Sequence, residues 1–320
     1  MTQDTLGIVD IDHLMVRSRS LAHAAALYEK FGFFVCPPRR KIEMSAFADG
    51  VQGGADAPKA TLNNRHIIFK PHPGRDDVAN FLEFMCIEDP LATPPKVMQL
   101  MSFLGDSEGP KTVVCLTRDL DRSLAEFGRR GFVAPPTIPF ETGWDDTERG
   151  SFVRIQARPF VPPPGQMPFQ MNCYETSTMD NYQYTPWTVH PNTARRLTGF
   201  TSVSENLRAD VEFMATRIFD VAPEWQGEDL AIIRPRDMQW RFVSPRGYAA
   251  LFPQCPFSEV RLLPATVGAT VAVDSLPTLR GILQANQVPF VDEGQRICIR
   301  PEHACNTLLE FVPTAQGGAQ

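Results

Sequence analysis

Three features are missing from this 320-residue chain, and each absence removes a class of function. No apolar run approaches the ~18 residues that a membrane-spanning helix needs, so no membrane partner is expected. No block of lysine or arginine is present, and 31 basic against 37 acidic residues leave a net charge of −6 spread along the chain. Such a surface offers no track for a phosphate backbone, so nucleic acid is not an expected partner. No CxxC pair occurs among the seven cysteines at 36, 86, 115, 173, 255, 298 and 305. Their odd number and scattered places, several inside strand-like runs, point to reduced, buried thiols in a cytoplasmic protein, not to a disulfide framework or a zinc knuckle. The opening "MTQDTLGIVD" also lacks the basic start and apolar stretch of a secretory leader.

What is present is apolar residue, proline and repetition. With 43% hydrophobic residues over 320 positions, the chain can bury two cores of ordinary domain size. The 29 prolines exceed the average usage of roughly 5%. They gather at segment ends such as "CPPRRK", "VAPPTIPF" and "FVPPPGQMPF", the punctuation of many short strands. Four stretches share one outline: "IDHLMVRSRSLAHAAALYEKFGF", "KTVVCLTRDLDRSLAEFGRRGF", "RLTGFTSVSENLRADVEFMATRIF" and "TVGATVAVDSLPTLRGILQANQVPF". Each reads as an alternating strand, a polar cap, about three turns of amphipathic helix and an apolar residue opening a further strand. Leu21, Ala25, Tyr28 and Phe31 show the helical spacing in the first, and Leu207, Val211, Met214 and Ile218 in the third.

Further strands are expected after every helix. They are "FFVCPP", "NRHIIFKP" and "NFLEFMCIE" in the first copy, and "FVAPPTIPF", "SFVRIQARPF" and "MPFQMNCYE" in the second. The third offers "LAIIRP", "QWRFVSP" and "YAALFPQ", and the fourth "VPFVDEG", "RICIRP" and "NTLLEFVP". Each copy is therefore β-α-β-β-β, with residues 89–110 and 176–194 as the longer linkers.

A strand turns alternate side chains to opposite faces. Leu14 and Val16 suit packing under the helix, which leaves His13, Met15 and Arg17 on the free face. "NFLEFMCI" likewise sets Phe81, Glu83 and Met85 opposite Leu82 and Phe84. A carboxylate among Phe and Met is costly unless a cation, a metal or strong donors compensate it. If the first and last strands are neighbours, His13 and Glu83 share one cup, and a nitrogen with an oxygen ligand suits a divalent transition metal.

Four such units, with histidine on the first strand and glutamate on the last strand of the first, resemble the vicinal oxygen chelate superfamily. That superfamily contains glyoxalases, bleomycin-resistance proteins and ring-cleaving extradiol dioxygenases. "DHLMV", "YEKFGF", "NNRHIIF" and "FLEFM" are most similar to its glyoxalase-like branch, and "HPNTARRL" at 190–197 resembles a segment found before the third unit in some members. The resemblance implies an α+β fold of four βαβββ modules forming two paired-module domains, 1–185 and 186–320. The modules fall at about 8–90, 110–178, 194–255 and 264–314. Paired modules enclose a cup, with metal ligands on the first and last strands.

By helix alignment, His13 corresponds to Thr112, Gly199 and Gly268, and Glu83 to Gln170, about Ala250, and Glu310. Pairing the first two modules gives His13, Glu83 and Gln170 as ligands of a divalent ion (Fe, Mn, Ni or Zn), with Thr112 as a weak extra. Pairing the first with the fourth gives His13, Glu83 and Glu310. The Gln170 set is preferred because glyoxalases of the superfamily can use glutamine. Both sets leave positions open for water or a chelating substrate. His190 on the linker and His66 on a strand are further candidate ligands, whereas His23, His72 and His303 are expected to be solvated.

The activity implied is lyase or isomerase chemistry on a small molecule with adjacent oxygens, of hydroxy-carbonyl type, in which the metal stabilises an enolate or oxyanion and Glu83 moves the proton. Arg17 and Arg154 would hold a substrate carboxylate. Trp187, with Trp144 and Tyr184, would wall a ring-sized ligand. Two alternatives stand beside this one. The first is a metal-free small-molecule binding or resistance protein in which His13 and Glu83 form a buried couple. The second is an extradiol dioxygenase, which holds ferrous iron with two histidines and one carboxylate where only one histidine stands at a ligand position. A monomer or homodimer is expected.

Overall fold

The computed structural model describes residues 6–38 and 62–314, except 73, 76, 90, 92, 94–97, 100, 134–136, 138, 147–149 and 257–262. The first copy supplies β1 (Ile8–Arg17), α1 (Leu21–Lys30), β2 (Leu62–Ile68) and β3 (Phe81–Ile87). The second supplies β4 (Gly109–Thr117), α2 (Leu120–Arg129), β5 (Phe140–Asp146), β6 (Ser151–Phe160) and β7 (Met171–Thr176). The third gives β8 (Ala194–Val203), α3 (Leu207–Glu212), β9 (Glu224–Trp225), β10 (Leu230–Ile233), β11 (Gln239–Val243) and an added helix, α4 (Pro245–Leu251). The fourth gives β12 (Ala265–Val273), α5 (Leu276–Ala285), β13 (Val291–Asp292), β14 (Ile297–Ile299) and β15 (Leu308–Pro313).

Three of the four repeat helices start in the same way. Ser20, Asp119 and Ser275 stand at the N-cap, and each side chain accepts the backbone N–H three residues on. The strands form two mixed sheets, ordered β2-β3-β1-β4-β7-β6-β5 and β13-β14-β15-β12-β8-β11-β10-β9. In both, the first strands of two successive copies lie side by side and antiparallel, while the last strand of each copy runs parallel to its own first strand.

Several strand expectations need correction. "FFVCPP" forms no strand; Cys36 N–H donates to His66 O at 2.8 Å, and residues 39–61 lie outside the described ones. The expected strand 132–140 falls partly on residues that are not described, and β5 begins only at its last residue, Phe140. "YAALFPQ" is not the last strand of the third copy. It falls mostly in α4, which Ser244 caps by accepting Gly247 N–H, with Pro245 in its first turn. The last strand of that copy is β11, "QWRFV".

Alternation then sorts the side chains. Leu14, Val16, Leu82 and Phe84 pack under α1, and the cluster they belong to continues into Phe200, Phe242, Val271 and Phe311 of the second sheet. Phe33 stacks on Phe311 at 5.9 Å and Phe169 meets Phe242 at 5.1 Å, so the helix-bearing faces of both sheets share one core. The other faces line separate cups. Met15, Met85, Val114 and Tyr174 belong to the first, and Val243, Tyr248, Phe252, Val267 and Leu308 to the second. Among the described residues no helix is long and apolar enough to cross a membrane.

Candidate functional site

The site begins with a defect in β1. The β1/β4 ladder slips between Ile11 and His13, so that Ile11 faces Cys115 while His13 faces Val114. Such a bulge releases one residue from strict alternation. Asp12 uses that freedom. Although it neighbours His13 in sequence, it reaches the same polar cluster, with Oδ1 at 3.0 Å from His13 Nδ1.

The strand order β2-β3-β1 places Glu83 between two other strands. Glu83 faces Met15 on β1 and His66 on β2. His13 Nε2 lies 3.2 Å from Glu83 Oε2, and His66 Nε2 lies 3.4 Å from Glu83 Oε1. Asn64, two residues before His66 and on the same face, donates from Nδ2 to Glu83 Oε1 at 2.7 Å. From the second copy Tyr174 on β7 donates its hydroxyl to Asp12 Oδ2 at 2.6 Å. All of these side chains are buried.

Burial alone would raise the Glu83 carboxyl, but hydrogen bonds from His13 and His66 outweigh it and hold the group well below the usual carboxylate range. Burial would likewise lower the His13 imidazole, and the bonds to Asp12 and Glu83 reverse the sign and raise it. Asp12 is pushed up by burial against the opposing bonds from His13 and Tyr174. Glu83 is thus the ionised centre of the cluster.

Aromatic rings enclose it on one side. Phe81 stacks on the His13 ring at 4.0 Å and 17°, and Tyr182 stacks on Phe81 at 5.2 Å. Trp144 meets the His66 ring at 5.5 Å, and Trp187 packs behind Trp144 at 5.1 Å. Trp187 therefore stands one layer behind the polar cluster.

The remaining candidate residues are placed elsewhere. The ladder corrects the helix-based alignment: Val114 faces Asn172 as Met15 faces Glu83, so Asn172 and not Gln170 is the counterpart of Glu83. Gln170 donates to Pro162 O and to Asn172 Oδ1, both at 3.0 Å, and the structure does not bring it to the His13 cluster. Thr112 donates to the carbonyls of Val113 and Gln170. In the third copy the counterpart is Arg241, since Thr201 faces Arg241, while Ala250 sits on α4. Glu310 belongs to the other sheet and is bonded by Arg241, Arg296 and Thr270.

His190 is a clasp: it accepts Phe34 N–H at Nδ1 and its Nε2 donates to Ile68 O at 3.0 Å. Arg17 does lie on the cup face, at the far end of β1, with Nη1 3.9 Å from Asp106 Oδ1. Arg154 is exposed on the outer face of β6 and pairs with Glu141 at 3.2 Å. Sequence reasoning missed Asp12, Asn64 and Tyr174 in the cluster, and it did not join His66 to Glu83. Only the alternation of Asn64 and His66 in "NNRHIIF" was a usable signal.

The donor types, two imidazoles and a carboxylate, are ones a divalent cation takes, although here each imidazole meets a different carboxylate oxygen directly. Neighbouring ligands at bond lengths of about 2.1 Å stand roughly 3.0–3.4 Å apart in octahedral or tetrahedral geometry. The two imidazole-to-carboxylate separations, 3.2 and 3.4 Å, fall in that range. Asp12 on the outer nitrogen of His13 is the partner that metal-bound histidines usually have. Among the described residues, no three His, Cys, Asp or Glu side chains are disposed around one metal position.

The family described as a glyoxalase-like domain matches residues 11–218, well over half of the chain. The chain belongs to that family. Among solved structures, a hypothetical protein from Staphylococcus aureus is similar to this glyoxalase-like protein with a TM-score of 0.62 and 8% identity, covering 95% of this chain and 99% of the other. A variant of homoprotocatechuate 2,3-dioxygenase from B. fuscum is similar with a TM-score of 0.54 and 11% identity, over 96% of this chain and 72% of the other. At such identities the likeness is one of fold, and it lies within the vicinal oxygen chelate superfamily. No curated protein sequence matches the glyoxalase-like protein.

Proposed function

We propose that the first cup is the working site of a metal-dependent enzyme acting on a small molecule with two adjacent oxygens, with His13, His66 and Glu83, which stand in direct contact here and would have to rearrange around an ion, as the protein's ligands. The observation that carries this reading is the convergence of two imidazole Nε2 atoms on the two oxygens of one buried carboxylate. A divalent cation held by these residues would supply Lewis acidity toward two vicinal oxygens. Glu83, ionised through the neutral range, takes up a substrate proton at a carboxylate oxygen and returns it in a lyase or isomerase cycle. Asp12 keeps the His13 ring in place, and Phe81, Tyr182 and Trp144 keep water from the reacting carbon. Arg17, on the same face, suits a carboxylate at the far end of the substrate.

A second reading is favoured by His66. Two histidines and one carboxylate are the donor set of oxygen-using non-haem iron sites, and His66 on β2 sets a second imidazole beside Glu83. Metal content of protein purified without chelator, in wild type and His13→Ala, tests both readings. Stoichiometric Fe, Mn, Ni or Zn that falls at least tenfold in His13→Ala is the expected result. A metal-free wild type would leave a binding protein in which His13, His66 and Glu83 share a proton. With metal present, oxygen consumption on catechols supports ring cleavage, and anaerobic turnover of a hydroxy-carbonyl compound supports lyase or isomerase chemistry.

A further inference from the structure

The cup face of β1 continues from His13 through Met15 to Arg17, and that of β3 from Phe81 through Glu83 to Met85, with Met15 opposite Glu83 and Arg17 opposite Met85. We infer that the first cup takes an elongated amphipathic anion, with an apolar chain laid along Met15, Met85 and Met101 and an acid group on Arg17; only the placing of two adjacent oxygens at the other end rests on the function proposed above. Arg17 stands two residues along β1 from the level of Glu83 and four from His13, so the ligand spans roughly 7–13 Å at a rise of ~3.3 Å per residue.

The walls set both the direction and the chemistry. On the Phe81 side of Glu83 the rings of Phe81, Tyr182 and Trp144 close the cup. On the Arg17 side Met15, Met85 and Met101 cluster with Leu104, and unbranched thioether side chains reshape readily around a guest. The donors that face this stretch are engaged elsewhere. Asn64, opposite Met85, donates to Glu83, and Thr112, opposite Met15, donates to the carbonyls of Val113 and Gln170. At the end of the stretch Arg17 keeps a buried Nη1 that makes no hydrogen bond, while Asp106 stands 3.9 Å from it and is itself exposed. A guanidinium nitrogen shut away from water without an acceptor is costly, and a carboxylate or similar oxyanion is the acceptor that fits it. Phe103, Leu104 and Asp106 also line a cleft of about 650 Å3, which leaves room for the far end of a ligand.

The test is calorimetric titration of octanoate, octanamide and butyrate into the chelator-treated full chain, in wild type, Arg17→Met and Met85→Gln. Wild type is expected to bind octanoate about tenfold or more tightly than octanamide, which lacks the charge, and than butyrate, which lacks half of the apolar chain. Arg17→Met removes the preference for octanoate over octanamide, and Met85→Gln removes most of the gain over butyrate. Absence of octanoate binding by the wild type, equal binding of octanoate and either analogue, or a charge preference that survives in Arg17→Met overturns the inference. Suberic monohydroxamate, which joins a carboxylate to two adjacent oxygens through a saturated chain, tests the other end with and without Mn2+. Tightening by Mn2+ of about tenfold or more supports the metal-dependent reading. If the octanoate results hold and Mn2+ adds nothing, the amphipathic ligand site stands and the metal-dependent reading falls.

Discussion

Glu83 on β3 and Glu310 on β15 occupy the same position of their sheets, facing Met15 and Thr270 on the neighbouring first strands. Both are buried, and both are held below the ordinary carboxylate range against the upward push of burial. Their partners differ. Glu83 is met by two imidazoles and an amide, which can exchange protons or give a lone pair to a cation. Glu310 is met by the guanidinium groups of Arg241 at 3.1 Å and Arg296 at 3.0 Å, which stay charged and offer no lone pair.

The backbone enforces the same contrast. Gly199 and Gly268 stand where His13 stands in the first copy, and an added Cβ would lie 2.3 Å from Gln239 O and 2.6 Å from Leu308 O. No side chain fits there. The bulge itself is shared, since β12 slips between Thr266 and Gly268 as β1 slips between Ile11 and His13. The bulged residue is Asp12 in one sheet and Val267, packed in the second apolar cluster, in the other. Phe252, just beyond α4, then lies over both arginines, with ring centroids 5.6 Å from Arg241 and 4.8 Å from Arg296. One ladder has been given a titratable cup and a locked, filled one.

The contrast can be broken by mutation. Glu310→Ala leaves two largely buried guanidinium groups without their carboxylate and is expected to cost about 3 kcal/mol of stability, read by urea unfolding. The Mn2+ affinity of the first cup should not move; a parallel loss would show that the cups are not separate in role. The linker histidine sharpens the comparison through pH. Burial pushes the His190 imidazole down to about 4, only partly opposed by its bond to the Ile68 carbonyl.

A histidine lowered in the folded state favours the fold above its unfolded value of about 6.5, and that contribution drains away as pH falls toward 4. About 3 kcal/mol should be lost across that window. In His190→Asn unfolding should show a flatter profile there, and an unchanged profile would remove the assignment. The smallest effect is expected at Arg154. Its exposed pair with Glu141 is worth less than ~1 kcal/mol, and Arg154→Ala should change neither stability nor ligand binding measurably.

Much of this arrangement was legible from periodicity. The period-2 alternation placed His13 and Glu83 on the face away from the helix, and the polar residue expected before each helix marked its start, as Ser275 with Pro277 does for the fourth. What escaped depended on pairing between strands. Asp12 is invisible to an alternation argument because the bulge breaks it. His66 meets Glu83 only through the antiparallel β2/β3 register, which no count along the chain provides. Gln170 was matched to Glu83 by counting from helices, across connections of unequal length, and the true counterpart is Asn172. The strand expected at 248–254 was an apolar run read without the Ser244 and Pro245 signals directly before it.

Calorimetric titration of Mn2+ into chelator-treated wild type, Glu83→Gln and Glu310→Gln tests the central claim most directly. One site per chain in wild type and Glu310→Gln, with binding at least tenfold weaker in Glu83→Gln, is the predicted result. Equal binding by Glu83→Gln, or loss of the site in Glu310→Gln, would contradict it.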